Sequence, residues 1–204
     1  IKQGIKPILG VELYIDPGSY TGKNYFHITV LAINNTGYSN LLKILTKAWQ
    51  TNFKRKPLVK IEDLIAGQEG LVVTSGCLSS KISVLIREGK FEEAKKELSF
   101  YKNSIKHFYI EVTPLIFDAA KGVTGWLYKL GKELSIPLVA TMDCHYVHKE
   151  ENKIQEILLC IQSNDQMNNP NRWKFDQDDF YLKSRSEMEQ SFKISDPDLD
   201  FTEA

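Results

Sequence analysis

The sequence predicts an α/β fold built on a mostly parallel sheet. Short β-rich runs alternate with amphipathic helical segments at close spacing, the pattern of βα units. The run Phe26-His27-Ile28-Thr29-Val30-Leu31-Ala32 is almost continuously apolar, as parallel strands buried on both faces tend to be. With 204 residues, 42% of them hydrophobic, and only 12 Gly and 7 Pro, the chain can bury a proper core and is neither disordered, collagenous nor a coiled coil.

Residues 8–15 read as the first strand, closed by the turn Asp16-Pro17-Gly18-Ser19. Residues 26–32 are the second strand. Leu41, Leu42, Leu45, Ala48 and Trp49 then recur at helical spacing after the turn Asn34-Asn35-Thr36-Gly37. A third strand, 70–74, ends at Ser75-Gly76-Cys77. Phe91, Ala94, Leu98, Tyr101 and Ile105 mark a helix with a charged opposite face, and 108–112 is a strand. Val123, Trp126, Leu127, Leu130 and Leu134 mark another helix, and 137–141 returns to strand. After about Cys160 the texture turns polar, and 195–204 is acidic. Residues 1–160 are therefore read as the main domain, with 161–204 as its end and a connector.

Lys+Arg and Asp+Glu balance at 26 each, so any contact with nucleic acid must be local. No apolar run nears the roughly 20 residues that span a bilayer, and no signal peptide opens the chain. Three cysteines make no disulfide framework, and their odd number suits a reducing, cytoplasmic setting. The chain opens without Met and stops at 198–204 without a capping signal, so both ends read as cuts through a longer protein.

Metal-type residues fall near strand ends. Glu12 interrupts an apolar strand, where a bare carboxylate is expensive unless paired or bound. His27 lies in the second strand, Cys77 follows the third, and Asp143 and His145 follow the strand 137–141, on one face if the chain stays extended. Carboxylate, imidazole and thiolate together suit Zn²⁺ or Mn²⁺. Each also has a plain structural reading: a satisfied core histidine, a small buried thiol, a chance Asp-x-His, a carboxylate paired with Lys or Arg. Spacing alone leaves both readings open. Cys144 and Cys160 read as structural, and His107 and His148 as solvated. Asn52-Phe53-Lys54-Arg55-Lys56-Pro57 is the one basic cluster with an aromatic beside it. It could touch DNA phosphates, or be a solvated loop.

Several runs carry a resemblance. Gly4-Ile5-Lys6-Pro7-Ile8-Leu9-Gly10-Val11-Glu12, then His27 to Ala32, then Gly37-Tyr38-Ser39-Asn40-Leu41-Leu42-Lys43, are similar to blocks of the PHP (polymerase and histidinol phosphatase) domain in bacterial DNA polymerase III α subunits. So are Ser75-Gly76-Cys77-Leu78-Ser79, the stretch from Ile136 to Tyr146, Leu158-Leu159-Cys160-Ile161-Gln162, and Phe180-Tyr181-Leu182-Lys183-Ser184. The resemblance covers nearly the whole chain in order.

It implies part of a distorted (β/α)7 barrel, whose first metal motifs would lie before Ile1. It implies a divalent-metal site (Zn²⁺ or Mn²⁺) at Glu12, His27, Cys77, Asp143 and His145, with Asp143 and His145 catalytic in phosphoester or 3′–5′ exonuclease chemistry. The parent would be a replicative DNA-directed DNA polymerase with its own Mg²⁺-dependent core beyond this chain, partnered by DNA, a sliding clamp and a proofreading exonuclease. The fragment alone would be inactive. The alternatives are a non-catalytic scaffold docking a proofreading subunit, or a free-standing PHP phosphatase. Met142 stands where the family usually has Asn, which bears on a hydrogen bond behind the ligands.

Overall fold

The computed structural model describes residues 3–114, 122–175 and 177–195. The first two residues and the acidic stretch 196–204 lie outside them. The chain forms two compact units, Ile1–Val112 with Gly125–Val139, and Thr113–Thr124 with Ala140–Ala204.

The first unit is built on strands β1 (Gly10–Ile15), β2 (Phe26–Ala32), β3 (Phe53–Lys54), β4 (Lys56–Val59), β5 (Leu71–Thr74), β6 (Phe108–Val112) and β7 (Leu138–Ala140). They form one sheet in the order β3-β4-β1-β2-β5-β6-β7, which is not closed on itself among the described residues. β1 is parallel to β4 and antiparallel to β2; β2 is antiparallel to β5, and β5 parallel to β6. Thus β1, β4, β5 and β6 share one direction, while β2 and β3 are reversed.

The mostly parallel reading therefore holds for the sheet but not for β2 or the two-residue β3. A parallel return needs a crossover of about a dozen residues or more, usually a helix. Residues 16–25 are shorter than that and carry none. Burial along β2 also alternates: Phe26, Ile28 and Val30 are buried, His27 and Thr29 only partly.

Helices α1 (Asn35–Thr51), α2 (Ile61–Ala66), α3 (Lys81–Arg87), α4 (Phe91–Ser104) and α5 (Val123–Leu134) fill the connections. Asn34 caps α1 by accepting the Gly37 N–H at 2.9 Å, and Leu41, Ile44 and Ala48 form its buried stripe. Leu13, Ile28, Val30, Leu71, Val73, Leu98 and Ile110 are buried in the core of this unit. The β3–β4 hairpin and α2 carry no strong periodicity and are not evident from the sequence.

In the second unit, α6 (Asn152–Ser163) and α7 (Arg185–Ser195) follow β7. The segment after β7 is tied to the run Phe180–Leu182: His145 N–H donates to the Phe180 carbonyl at 2.9 Å and Leu182 N–H to that of Tyr146 at 3.1 Å. Ser184 and Glu187 make a reciprocal cap at the start of α7, with Tyr181 also donating to Glu187. Those donors, the Ser184 hydroxyl foremost, hold the Glu187 carboxyl down at about 2. No helix among the described residues is long and apolar enough to cross a membrane.

Asp16 locks the end of β1 to the end of α1. Its carboxylate accepts the Gly18 N–H at 2.9 Å and the Asn52 side-chain amide at 2.8 Å. The Asn52 bond first, then Gly18, hold its pKa below the usual carboxylate value. A depressed folded pKa means stabilisation that is full above about pH 4 and lost as pH falls through the folded value. Asp16→Ala should lower stability by about 2 kcal/mol at neutral pH in urea titrations, the scale of hydrogen bonds to a charged group. The gap from wild type should close in more acid solution. A gap independent of pH would show that the carboxylate charge is not what stabilises this corner.

Candidate metal centre

On β1, Leu13 and Ile15 are buried, so Glu12 and Tyr14 stand on the other face of the pleat. In the β1–β2 ladder Tyr14 pairs with His27 and Glu12 with Thr29, which makes Glu12 and His27 diagonal neighbours on that face. His27 Nδ1 lies 2.7 Å from Glu12 Oε1, with the His27 side chain 20% and the Glu12 side chain 42% exposed.

Cys77 arrives from β5. Beyond the Thr29–Thr74 pair the chain passes so close to β2 that a Cβ on Gly76 would sit 2.7 Å from the His27 carbonyl oxygen, and Gly76 has φ +80°. Glycine alone meets both demands. His27 N–H in turn donates to the Ser79 carbonyl at 3.2 Å, and Ser80 caps α3. The loop is thereby pinned on both sides, and Cys77 Sγ stands 3.5 Å from Glu12 Oε1 and 3.6 Å from His27 Nδ1.

One atom from each of the three residues lies within 4.8 Å of the others. Bond lengths to a tetrahedral Zn²⁺ would separate sulfur from its nitrogen and oxygen neighbours by about 3.5 Å, and nitrogen from oxygen by about 3.4 Å. The sulfur separations already fit. The His27–Glu12 contact, at 2.7 Å, is shorter because it is a hydrogen bond, and it would open by about 0.7 Å around an ion.

Neighbours fix the imidazole. Tyr25 stacks on it with an interplanar angle of 2°, and Tyr14 meets it edge-on at 5.4 Å. Lys56 Nζ donates to the Tyr14 hydroxyl at 2.7 Å, which with smaller help from Glu12 raises the ammonium above the usual lysine value. Burial foremost pushes Lys23 down, with Arg87 adding to it, while Cys77 pulls it up. From β6, Glu111 is buried, accepts from the Thr74 hydroxyl, and its N–H donates to Ser75 Oγ at 2.9 Å. It therefore braces the strand end that leads to Cys77. The signal for Glu111 is legible in the sequence: like Glu12, it is a carboxylate inside an apolar strand. Nothing in the sequence signals Tyr14 or Tyr25, and Lys56 is legible only as part of the basic cluster 52–57.

Among the five ligand residues read from the sequence, Glu12, His27 and Cys77 stand together in the first unit. Asp143 and His145 lie in the second, on a loop beyond β7 rather than on extended strand, because Asp143 has φ +54°. His145 Nδ1 is 2.6 Å from the Asp143 carbonyl oxygen. A carbonyl only accepts, so Nδ1 is the donor in this contact and Nε2 is the nitrogen left for a ligand role. Met142 is buried. The Cys144 thiol donates to the Tyr181 carbonyl at 3.5 Å, and Cys160 is buried beside Met167. His148 is exposed and His107 half-buried.

Comparison with known proteins shows the family. The PHP domain family matches residues 1–114, which takes in β1 to β6 with Glu12, His27 and Cys77. The chain belongs to the PHP domain family. It is 39% identical over 93% of its length to a DNA polymerase III subunit alpha of Treponema pallidum, and 36% identical over 94% to that of Borreliella burgdorferi. It is 35% identical over 91% to that of Thermus aquaticus. It spans only 17% of each of the first two relatives and 16% of the third.

The close pass at Gly76 gives a direct test of how this PHP centre is built. Gly76→Ala meets both the positive φ and the His27 carbonyl, whereas Gly89→Ala (φ +73°, with nothing within 4 Å of an added Cβ) meets only the first. The control should lose about 1 kcal/mol and Gly76→Ala at least twice that in thermal or urea unfolding. Equal losses would mean that the loop can move away from β2 freely.

Proposed function

We propose that this PHP domain holds Zn²⁺ or Mn²⁺ and hydrolyses DNA phosphoesters in the manner of a 3′–5′ exonuclease, as one part of a longer protein of the DNA polymerase III α type. The observation that supports it is the meeting of a carboxylate, an imidazole and a thiol at Glu12, His27 and Cys77. Asp143 and His145 are the further ligand-competent positions that the family resemblance implies.

A bound divalent ion supplies charge neutralisation at the phosphate and lowers the pKa of a coordinated water. The protein's own groups do the rest. Tyr25 and Tyr14 hold the His27 ring against rotation, and the Ser75–Ser80 loop keeps the Cys77 sulfur on the same side. His145, its Nδ1 proton committed to the Asp143 carbonyl, presents Nε2, and the Asp143 carboxylate serves as a further anionic ligand. Lys56 adds a cation close to the site that suits an anionic substrate.

In this reading polymerisation belongs to a Mg²⁺-dependent core outside the chain, and the protein works in the cytoplasm with DNA, a sliding clamp and a proofreading exonuclease. Residues 161–204 lead toward that core. The scaffold alternative has less in its favour, because all five positions carry ligand-competent side chains.

Cobalt substitution tests the centre. The chain loaded with Co²⁺ should show a sulfur-to-cobalt absorption band that Cys77→Ser abolishes, and Glu12→Gln should weaken binding by about ten- to a hundredfold. Unchanged spectra and affinities in both variants would remove the metal centre. In the longer protein, Asp143→Ala or His145→Ala should abolish exonuclease activity while polymerisation continues, and the isolated chain should hydrolyse no DNA. An unchanged exonuclease rate in both variants would leave these residues without the catalytic role.

A further inference from the structure

The edge of the sheet remote from β7 carries features that the metal centre does not use. β3 and β4 form a tight hairpin in which Lys54 sits directly opposite Lys56, with Arg55 between them at φ +63°. Like charges opposite one another destabilise a ladder, and a positive φ is unfavourable for arginine, where Gly or Asn would serve better. Beside the hairpin, Trp49 from the end of α1 and Phe53 stack with centroids 5.0 Å apart and planes 22° from parallel. Both rings lie open to solvent, at 57% and 51% exposure.

The surrounding groups relieve these costs only in part. Lys56 is engaged by the Tyr14 hydroxyl and its ring. Lys54 reaches Asp16 only at 4.0 Å, with its side chain 71% exposed. Arg55 is exposed. Three successive cations and two stacked, solvent-facing rings are thus concentrated at one edge of a chain whose formal net charge is zero.

We propose that this edge binds single-stranded DNA, with Trp49 and Phe53 stacking on bases and Lys54 and Arg55 contacting the adjoining phosphates. A single strand offers both chemistries at the spacing of one nucleotide: a π-face for each ring and an anion for the neighbouring cations. A purely apolar protein partner would cover the rings and strand the cations. A duplex would hide its bases from the rings. The choice of DNA over RNA rests on the reading under "Proposed function"; the surface itself does not.

The test uses the full 204-residue chain carrying Cys77→Ser, in a chelating buffer, so that it does not depend on the metal centre. Binding of an oligothymidylate of about twelve nucleotides is followed by Trp49 quenching and by anisotropy of a labelled strand. Trp49→Ala and Phe53→Ala should each weaken binding roughly tenfold, the scale of one stacked base. Both rings are largely exposed, so neither change removes core packing. The double variant Lys54→Ala with Arg55→Ala should lower the slope of log affinity against log salt by about 1.4, two phosphates at about 0.7 each. Arg55→Gly, which relieves the backbone, should raise thermal stability yet weaken binding.

Failure to bind the oligothymidylate would overturn the proposal. So would an affinity unchanged from the parent chain in both ring variants, which would leave the patch as a protein-facing surface. Tighter binding of a matched oligouridylate, or of duplex DNA, would exclude single-stranded DNA as the ligand.

Discussion

Because residues 16–25 hold no helix, β2 has to return antiparallel to β1, and that reversal decides where each group of the candidate metal centre stands. Reversed, β2 begins level with the end of β1, and β5 finishes opposite Thr29, so the chain leaving β5 runs on past the start of β2. His27, its second residue, then faces the loop that leaves β5. Had β2 run parallel, His27 would lie at the opposite end of the sheet from Cys77. The close pass of Gly76 across the His27 carbonyl completes the arrangement. It brings a thiol on one strand end to a diagonal Glu–His pair on two others without a long or flexible connection.

The same economy governs the charges around the centre. A Glu exposed at 42% on its own would be a weak ligand in solvent, but Glu12 is held at 2.7 Å by His27, and Lys56 contributes to the field it feels. Each partner is secured by something else in turn: His27 by two tyrosine rings, Lys56 by the Tyr14 hydroxyl, and the strand end before Cys77 by Glu111. Ligand atoms already close together bind an ion with little reorganisation, which is how a protein fold raises metal affinity without adding ligands. The hydrogen bond between His27 and Glu12 is what an ion must displace. In the proposed reading, metal and proton would therefore compete for the same place.

Much of this was readable from residue types. The apolar runs at 8–15, 26–32, 70–74 and 108–112 contain β1, β2, β5 and β6, and the helical stripes from Leu41 and Phe91 onward are α1 and α4. Strand direction was not readable for β2. A run such as Phe26–Ala32 looks alike whichever way it is paired, and only the length of the connection before it discriminates. The β3–β4 hairpin escaped notice because two- and four-residue strands are too short to show a period, and its lysines read as loop. At the site, Glu12, His27 and Cys77 were visible as polar groups at strand ends. Glu111 carried the same signal one strand later. The extended geometry expected for Asp143 and His145 gave way to a left-handed residue at Asp143, which a short Asp-x-His stretch does not announce.

The second unit shows what a run of family resemblance can do by architecture alone. Phe180 to Ser184 resembles a family block, yet its described contacts are those of a structural joint. Phe180 accepts the His145 N–H, Leu182 donates to Tyr146, and Tyr181 and Ser184 bind Glu187 at the start of α7. The His145 ring lies against Phe175 and meets Phe180 edge-on. With its backbone N–H and Nδ1 both committed, this histidine has little rotational freedom, and Nε2 is the one ring atom left to act. A segment with no ligand of its own thus governs the direction in which a ligand-competent atom points. That accounts for its presence better than any direct part in chemistry, because none of its side chains except Tyr181, Lys183 and Ser184 carries a reactive group, and Tyr181 and Ser184 are engaged with Glu187 while Lys183 pairs with Asp179.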